Sequence, residues 1–357
     1  MKKLWQKGWR LALCGALLAW VFHSIFVDEA RLQRGAAEFN QLPRTEQWRL
    51  GWSAGPASLA AKLTKVSPVH FGISLVFMGA TLVLGTLRWR LALRAQGLDV
   101  GWKRTVQVSF AAHFFNSVLL GSNGGDLVKA WYAARDSHHK KTEAVLTVVV
   151  DRLIGLWAML LFACGMMLFN RELLAKDSWI RLLAGVVVLM MLGGSMVLGT
   201  AFWGGISRRW AGARAWLRRL PKGAWLESTL DSCRQFGRSP GFVVKSLAVS
   251  MLLNAACVAQ FHVLGLGLGL AIDPLVMLVA VPMVICISAL PITPNGLGVR
   301  ENLFVQMLAA IGIVSASALS LAVLAYAGSL LWSLVGGLVY LGMKDRREFA
   351  KSNVEPQ

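Results

Sequence analysis

Residues 302–343 have the sequence NLFVQMLAAIGIVSASALSLAVLAYAGSLLWSLVGGLVYLGM, which contains no charged side chain. A helix needs roughly 20 apolar residues to cross the hydrocarbon core of a bilayer, and this run is about twice that length. The pattern therefore predicts an all-α integral membrane protein that crosses the bilayer several times. The other long stretches without charge are 66–87, 105–125, 182–207, 246–272 and 274–299.

The overall composition supports this prediction. Charged residues make up 15% of the chain, whereas soluble domains contain about 25%. The net charge of +19 could indicate nucleic-acid binding. The basic residues, however, are concentrated in short segments between apolar runs, as the positive-inside rule describes. We therefore predict no nucleic-acid partner.

The apolar runs predict about six full transmembrane helices, and the positions of Lys and Arg give their orientation. Bases precede the first span and are frequent after the second, in 208–238 and after 343. These segments, with both termini, are predicted to lie on the cytoplasmic side of the cell inner membrane. On this interpretation Arg88 and Arg90 are ordinary positive-inside bases. The predicted spans are 11–27, 69–87, 145–169, 181–204, 243–270 and 318–343.

Two further apolar segments, 105–121 and 275–313, do not fit as simple spans. The first has basic flanks on both sides, so it must begin and end on one side of the membrane. The second must return to the outer side, so that the span at 318–343 can end in the cytoplasm. It is interrupted by Pro291, Pro294, Gly296 and Gly298. Both segments are therefore predicted to be re-entrant.

This arrangement repeats the order span, re-entrant segment, span. It occurs at 69–169 and, in the opposite orientation, at 243–343. Inverted repeats with interrupted helices are typical of transporters, whose binding sites lie at the interruptions. The predicted division is a first helix with an outer amphipathic segment at 1–68, a membrane domain at 69–345 and a tail at 346–357. Segment 205–240 is either an amphipathic helix on the inner leaflet or a plain basic loop.

The first candidate binding segment is GSNGGDLVK at 121–129. Glycines allow a ligand to approach the backbone closely, and the N-terminus of a helix beginning near Asp126 would favour an anion. Asp126 and Lys129 are three residues apart and share a helical face. A glycine-rich turn with an acidic cap is the alternative. The candidate substrate-binding residues here are Asn123, Gly124, Gly125, Asp126 and Lys129.

The second candidate segment is LPITPNGLGVRE at 290–301. Ionisable groups within a membrane are costly and are usually functional, and arginine can bind phosphate through two N–H groups. Since neighbouring residues point in different directions on a helix, Arg300 and Glu301 need not pair with each other. The alternative places both at the membrane interface. The candidate residues are Pro294, Asn295, Gly296, Gly298, Arg300 and Glu301.

Asp151 and Arg152, near the start of the span at 145–169, are further candidates. They could contact substrate or form structural ion pairs with another helix. Polar residues inside the other apolar segments are more typical of hydrogen bonds between helices. These residues are His113, Asn116, Asn254, Gln260 and His262.

The sequence contains no recognisable catalytic motif. It has no GxSxG, no GxxxxGK[ST] and no His/Cys spacing typical of a metal site. We therefore predict no catalytic residue, no metal and no cofactor, and expect that the protein is not an enzyme.

Several of these stretches resemble the flippase-like family named after the transmembrane region of lysylphosphatidylglycerol synthase, the UPF0104 group. The resemblance covers about 70–345. It implies a polytopic membrane protein that translocates aminoacylated phospholipids, polyprenyl-linked sugars or hopanoid-type lipids. The chain departs from the family in lacking an Arg in its last span and a Pro in its first motif. The matching stretches are Leu87–Arg90, Gly121–Lys129 with Arg135, Val150–Leu156 and Leu290–Glu301, which resembles LPxTPxGxGxxE.

The resulting prediction is a lipid flippase or transporter for an anionic or lipid-linked substrate, with membrane lipids as partners. Members of the family with synthase activity carry a soluble aminoacyl-transfer domain after the membrane region. Because this chain ends soon after Met343, we expect that activity to be absent. The alternatives are a membrane-embedded enzyme, an accessory subunit of lipid or lipid-linked glycan synthesis, and a scaffold for such enzymes.

Overall fold

The computed structural model describes residues 36–118, 124–137, 140–202, 233–290 and 298–343, together with Gly296 and isolated positions between 19 and 34. Across these ranges the secondary structure is α-helical, without strands. Several predictions lie outside the described residues: most of the span at 11–27, the candidates Asn123, Pro294 and Asn295, most of segment 205–240 and the tail.

Twelve helices are defined within the described ranges. Proline begins three of the long helices, where its missing N–H costs no hydrogen bond. The helices are α1 (Ala36–Phe39), α2 (Arg44–Thr64), α3 (Pro68–Ala95), α4 (Trp102–Val118), α5 (Gly124–Asp136), α6 (Lys141–Phe169), α7 (Arg171–Lys176), α8 (Ser178–Phe202), α9 (Pro240–Gly267), α10 (Pro274–Ser288), α11 (Val299–Ala309) and α12 (Ser315–Gly342).

Five of the predicted spans are confirmed as helices long and apolar enough to cross a membrane, namely α3, α6, α8, α9 and α12. Their ends differ from the predicted ones by a few residues, with one larger difference. Helix α3 continues past the predicted end at 87 as far as Ala95. Arg88 and Arg90 therefore lie within a helix and do not follow it.

The two interrupted segments are helical hairpins, one formed by α4 and α5 and the other by α10 and α11. Helix α4 has 17 residues and α10 has 15. At 1.5 Å per residue these helices are roughly 25 and 22 Å long, shorter than the hydrocarbon core of about 30 Å. These lengths agree with the predicted re-entrant segments, although the hairpins extend beyond 105–121 at both ends.

The helix lengths repeat along the chain. Helices α3 and α9 both have 28 residues, and α6 and α12 have 29 and 28. In the packing, α3 contacts α9, the first hairpin helix α4 contacts α12, and α10 contacts α6. Each hairpin therefore packs against the last span of the other unit. Inverted repeats would pack in this way, and the repeat itself stays a prediction.

The largest hydrophobic core surrounds the second hairpin. Helix α10 is buried along most of its length, from Met277 to Ile287, between α6, α9 and α11. A smaller core surrounds the first hairpin and contains Trp89 and Tyr132. Outward-facing apolar side chains such as Val76, Leu189 and Leu338 remain exposed, as expected of a lipid-facing surface. The second hairpin is therefore the better sheltered of the two.

Candidate functional site

Arg88 and Asp151 form a nearly buried ion pair between α3 and α6. The Arg88 Nε lies 2.7 Å from the Asp151 Oδ1, and the two side chains are 13% and 9% exposed. The Arg88 Nη1 also donates to the Ser250 Oγ at 3.2 Å, so the cluster joins α3, α6 and α9. The prediction of Arg88 as an ordinary positive-inside base is therefore wrong. Of the two roles considered for Asp151, the geometry fits a structural ion pair.

Gly155 gives the Arg88 guanidinium its space. A Cβ at this position would lie 2.5 Å from the Arg88 Nη1, which is closer than non-bonded atoms can approach. Helix α6 therefore needs glycine one turn after Asp151, so that the guanidinium can reach the carboxylate.

Arg152, the next residue on α6, is paired with Asp126 near the start of α5. Their side chains are 45% and 31% exposed, so this pair is accessible, unlike the pair of Arg88 and Asp151. Lys129 does not share this arrangement, because its Nζ lies over the Trp89 ring, 5.1 Å from the centroid. Of the first candidate segment, Asp126 is the side chain that the structure connects to Arg152.

The glycines of the first hairpin are packing residues. The Gly125 N–H donates to the Asn116 Oδ1 at 2.7 Å, and a Cβ on Gly125 would lie 2.2 Å from the Ala112 carbonyl oxygen. Gly124 is also buried. Here the close approach made possible by glycine is between α4 and α5, and Asn116 is the polar contact between them.

The second hairpin turns through two glycines in the left-handed region of backbone conformation. Gly296 has φ 69° and Gly298 has φ 82°, values that residues with a Cβ rarely adopt. Glu301 then caps α11, because its Oε2 accepts the Gly298 N–H at 2.6 Å. This cap fixes a carboxylate that is only 5% exposed.

Arg300 and Glu301 form an ion pair, which the sequence alone leaves open. The Arg300 Nη2 donates to the Glu301 Oε1 at 2.7 Å, and the Arg300 side chain is 18% exposed. The cap explains the geometry. With one Glu301 oxygen turned back to the helix N-terminus, the other is within reach of the preceding arginine. The Arg300 guanidinium also lies 5.4 Å from the centre of the Tyr326 ring.

Arg152 and Arg300 line one cavity of about 330 Å³. They come from different units of the predicted repeat, Arg152 from α6 and Arg300 from α11. Gly296 contributes the turn of the second hairpin to the same wall. The remaining lining residues are Met78 of α3, Cys257, Gln260 and Phe261 of α9, Ile285, Ser288, Ala289 and Leu290 at the end of α10, and Ala325 and Ser329 of α12.

The cavity has two guanidinium groups in its wall, and both are paired with carboxylates. Each arginine has a carboxylate partner, Asp126 for Arg152 and Glu301 for Arg300. Pairing lowers the free-energy cost of holding a guanidinium in a poorly solvated place. Because a guanidinium has five N–H donors in a planar fork, it can bind a second oxyanion beside a carboxylate. The arrangement is therefore suited to a phosphate or carboxylate headgroup.

Sequence reasoning placed some of these residues correctly and missed others. Arg152, Gly296 and Arg300 were candidates and meet at the cavity, whereas Gln260 was assigned to bonding between helices and lines the cavity instead. Met78, Cys257 and Ser329 belong to no motif that could have identified them. His113 does bond between helices, through the Ser329 carbonyl oxygen at 3.2 Å.

Asn254 and His262 differ from the expectation. The Asn254 Nδ2 and the His262 Nδ1 are buried without a hydrogen-bond partner in the described part of the chain. Within that same part, no three His, Cys, Asp or Glu side chains are grouped so that they could hold a metal ion.

The chain is similar to known membrane proteins over most of its length. The family model described as "Lysylphosphatidylglycerol synthase TM region" matches residues 47–337. A UPF0104 membrane protein of Methanothermobacter thermautotrophicus is 24% identical over 290 residues, covering 74% of this chain and 80% of the relative. A UPF0104 membrane protein of Pyrococcus horikoshii is 23% identical over 326 residues, covering 85% of this chain and 95% of the relative. The matched region contains both hairpins and all the residues that line the cavity.

Proposed function

Because this multi-pass membrane protein belongs to the family of the lysylphosphatidylglycerol synthase transmembrane region, we propose that it moves lipids with an anionic headgroup across the bilayer. The observation that carries the proposal is the meeting of Arg152 and Arg300 in one cavity. A headgroup there contacts both units at once. It can therefore couple its own binding to a change in how the units pack.

The cavity is large enough for the headgroup of a lipid but not for its chains. A volume of about 330 Å³ lies at the lower end of the range of roughly 300–1,000 Å³ that is typical of small-molecule sites. That is room for a phosphate with a small substituent, and the acyl or prenyl chains must stay in the surrounding lipid. In this mechanism the headgroup is carried through the protein while the chains reorient in the bilayer.

The carboxylates act as resident counter-anions. When a phosphate oxygen reaches Arg300, it competes with Glu301, and at Arg152 it competes with Asp126. The exchange keeps each guanidinium paired with an oxyanion at every stage, and the displaced Glu301 carboxylate keeps its hydrogen bond from the Gly298 N–H. Release of the headgroup restores the two internal pairs, which prevents binding from becoming too tight for turnover.

The proposal is tested by transport in reconstituted vesicles. Fluorescent phosphatidylglycerol is placed in both leaflets, and the fraction that an external quencher reaches is followed in time. We expect Arg152→Ala and Arg300→Ala each to slow movement at least about tenfold, the effect of losing roughly 1.4 kcal/mol of binding to the transition state. Arg181→Ala is the matched control, because Arg181 is an exposed base that bonds the Ala175 carbonyl oxygen and does not line the cavity. Equal rates for all four proteins over a panel of anionic lipids would refute the proposal.

This function treats the chain as a carrier and not as an enzyme. The lipids of a deletion strain, measured by mass spectrometry, distinguish the two. An accumulated, chemically complete precursor supports transport, whereas a missing lipid product supports catalysis.

We also propose that the protein lies in the cell inner membrane with both termini in the cytoplasm. The bases Arg90, Arg94 and Lys103 lie at the end of α3 and the start of α4, and bases favour the cytoplasmic face. A reporter enzyme fused after residue 357 and active only in the cytoplasm should therefore be active. Activity of a periplasm-specific reporter at the same position would reverse the orientation.

A further inference from the structure

A second concave surface lies between the start of α4 and the end of α12. It encloses about 490 Å³ and shares no lining residue with the cavity that contains Arg152 and Arg300. On α12, Ser329 lines the first cavity and Leu338 lines this second surface. At 1.5 Å per residue, Leu338 lies roughly 14 Å further along the helix. We call this surface the α4–α12 groove. It is a separate feature from the proposed transport site.

The α4–α12 groove has one apolar part and one polar part. Its apolar walls are Val106 of α4 and Leu338, Val339 and Gly342 of α12. Leu338 is 69% exposed and belongs to one of the most apolar helices. Exposed apolar side chains of this kind are expected where a helix faces lipid. The apolar part is therefore suited to a hydrocarbon chain lying along the helices.

The polar part of the groove is formed by Trp102, Lys103 and Gln107. Lys103 and Gln107 are one helical turn apart, so their side chains lie on the same face of α4. Trp102 is 40% exposed, and exposed indole rings at the ends of apolar helices are typical of the boundary between headgroups and hydrocarbon. Both an ammonium and an amide are thus available to a headgroup at that boundary.

Basic side chains predominate around this polar part, where Asp99 is the one acidic residue of the loop 96–101 between α3 and α4. The Arg90 guanidinium lies 5.6 Å from the centre of the Trp102 ring, and Arg94 is in the last turn of α3. The carboxylate of Asp136, on the same hairpin, is bound to Arg104 at 2.8 Å. The headgroup end of the groove is therefore complementary to an anion.

We propose that the α4–α12 groove binds one anionic phospholipid as a resident lipid. Its phosphate contacts Lys103 and Gln107, and one acyl chain lies against Val106, Leu338 and Val339. A zwitterionic phospholipid fits the apolar part equally well but gains less from Lys103. The inference rests on the groove alone and does not depend on the transport function.

Gly342 offers a way to fill the groove without disturbing the protein. A Cβ built on Gly342 meets no atom within 4 Å, so a larger side chain there enters the space proposed for the acyl chain. Gly185 on α8 is a matched control, because it is exposed and its Cβ also meets nothing within 4 Å. For the headgroup, Lys103→Glu reverses the charge, and Lys141→Glu makes the same change at an exposed base outside the groove.

The test is native mass spectrometry of the full chain released from detergent containing equal amounts of phosphatidylglycerol and phosphatidylcholine. We expect the wild type to retain one phosphatidylglycerol at a collision energy that removes phosphatidylcholine. Lys103→Glu and Gly342→Phe should each lower the retained fraction at least about fivefold, while Lys141→Glu and Gly185→Phe retain the wild-type fraction. Equal retention of the two lipids by the wild type, or equal retention by all variants, would overturn the proposal.

Discussion

Arg88 on α3 and Asp151 on α6 are held 2.7 Å apart, and both are nearly buried. They are 63 residues apart in sequence. Their pairing fixes α3 against α6, and the residue after Asp151 is Arg152, which lines the cavity. The buried pair therefore positions one of the two cationic residues of the candidate site.

Removing one member of this pair should destabilise the protein strongly. Asp151→Ala leaves a buried guanidinium without a counter-charge, at a cost of about 3–5 kcal/mol. The midpoint of thermal unfolding in detergent measures the effect. The double variant Arg88→Met/Asp151→Leu should recover most of the loss, because neither charge remains.

Asp136→Ala is the comparison for that measurement. Asp136 pairs with Arg104 at 2.8 Å, but the side chains are 25% and 22% exposed, so its loss should cost about 1 kcal/mol or less. If Asp151→Ala unfolds at the same temperature as Asp136→Ala, the buried pair does not have the structural role assigned to it.

The misinterpretation of Arg88 shows where sequence reasoning stops. The charge-free run ends at Leu87, and hydropathy alone places the membrane boundary there. The continuation RWRLALRA at 88–95 still forms helix, since Arg, Leu and Ala all have high helix propensity. What makes a buried arginine acceptable is Asp151, and no local pattern reveals that partner.

The hairpins, in contrast, could be predicted because their causes are local. Prolines and glycines interrupt the second segment, and the distribution of bases required both segments to turn back. The meeting of Arg152 with Arg300 depends on how the units pack together. Gln260 shows the same limitation, because its contribution to the cavity depends on where α9 lies relative to α10.

Gly125→Ala should disrupt the first hairpin. Its Cβ would lie 2.2 Å from the Ala112 carbonyl oxygen, so α4 and α5 would have to move apart. Overpacking of this kind costs about 1–3 kcal/mol. Thermal unfolding measures it, with Gly185→Ala as the control because that Cβ meets nothing within 4 Å. Two variants of equal stability would contradict the close packing of α4 against α5 at Gly125.

Glu301→Gln and Glu301→Ala should separate the two roles of this residue. Glutamine can still accept the Gly298 N–H, so Glu301→Gln should fold nearly as well as the wild type. Alanine loses the cap as well, at about 0.5–2 kcal/mol. Both variants release Arg300 from its carboxylate, so both should bind anionic lipid more tightly and release it more slowly.

Two measurements on the Glu301 variants check these expectations. Thermal unfolding reports the cap. The charge is reported by the transport rate of phosphatidylglycerol, and by its retention measured in a Lys103→Glu background in which the α4–α12 groove no longer holds the lipid. A Glu301→Gln protein with unchanged lipid retention and unchanged transport would show that Glu301 does not compete with the headgroup.

The electrostatic character of the cavity can be measured directly through Cys257, which lines it beside Arg300. In a chain whose four other cysteines are replaced by serine or alanine, an anionic and a cationic thiosulfonate reagent of similar size are compared for their rates of reaction. The arginines should favour the anionic reagent.

Arg300→Ala should lower the ratio of the anionic to the cationic rate roughly fivefold, which corresponds to about 1 kcal/mol at the separations within one cavity. Taking a ratio cancels changes in the thiol itself and in the width of the entrance, because both reagents experience them equally. Arg181→Ala, outside the cavity, should leave the ratio unchanged. If Arg300→Ala also leaves it unchanged, Arg300 does not set the potential at Cys257, and the cavity loses the property that suits it to an anionic headgroup.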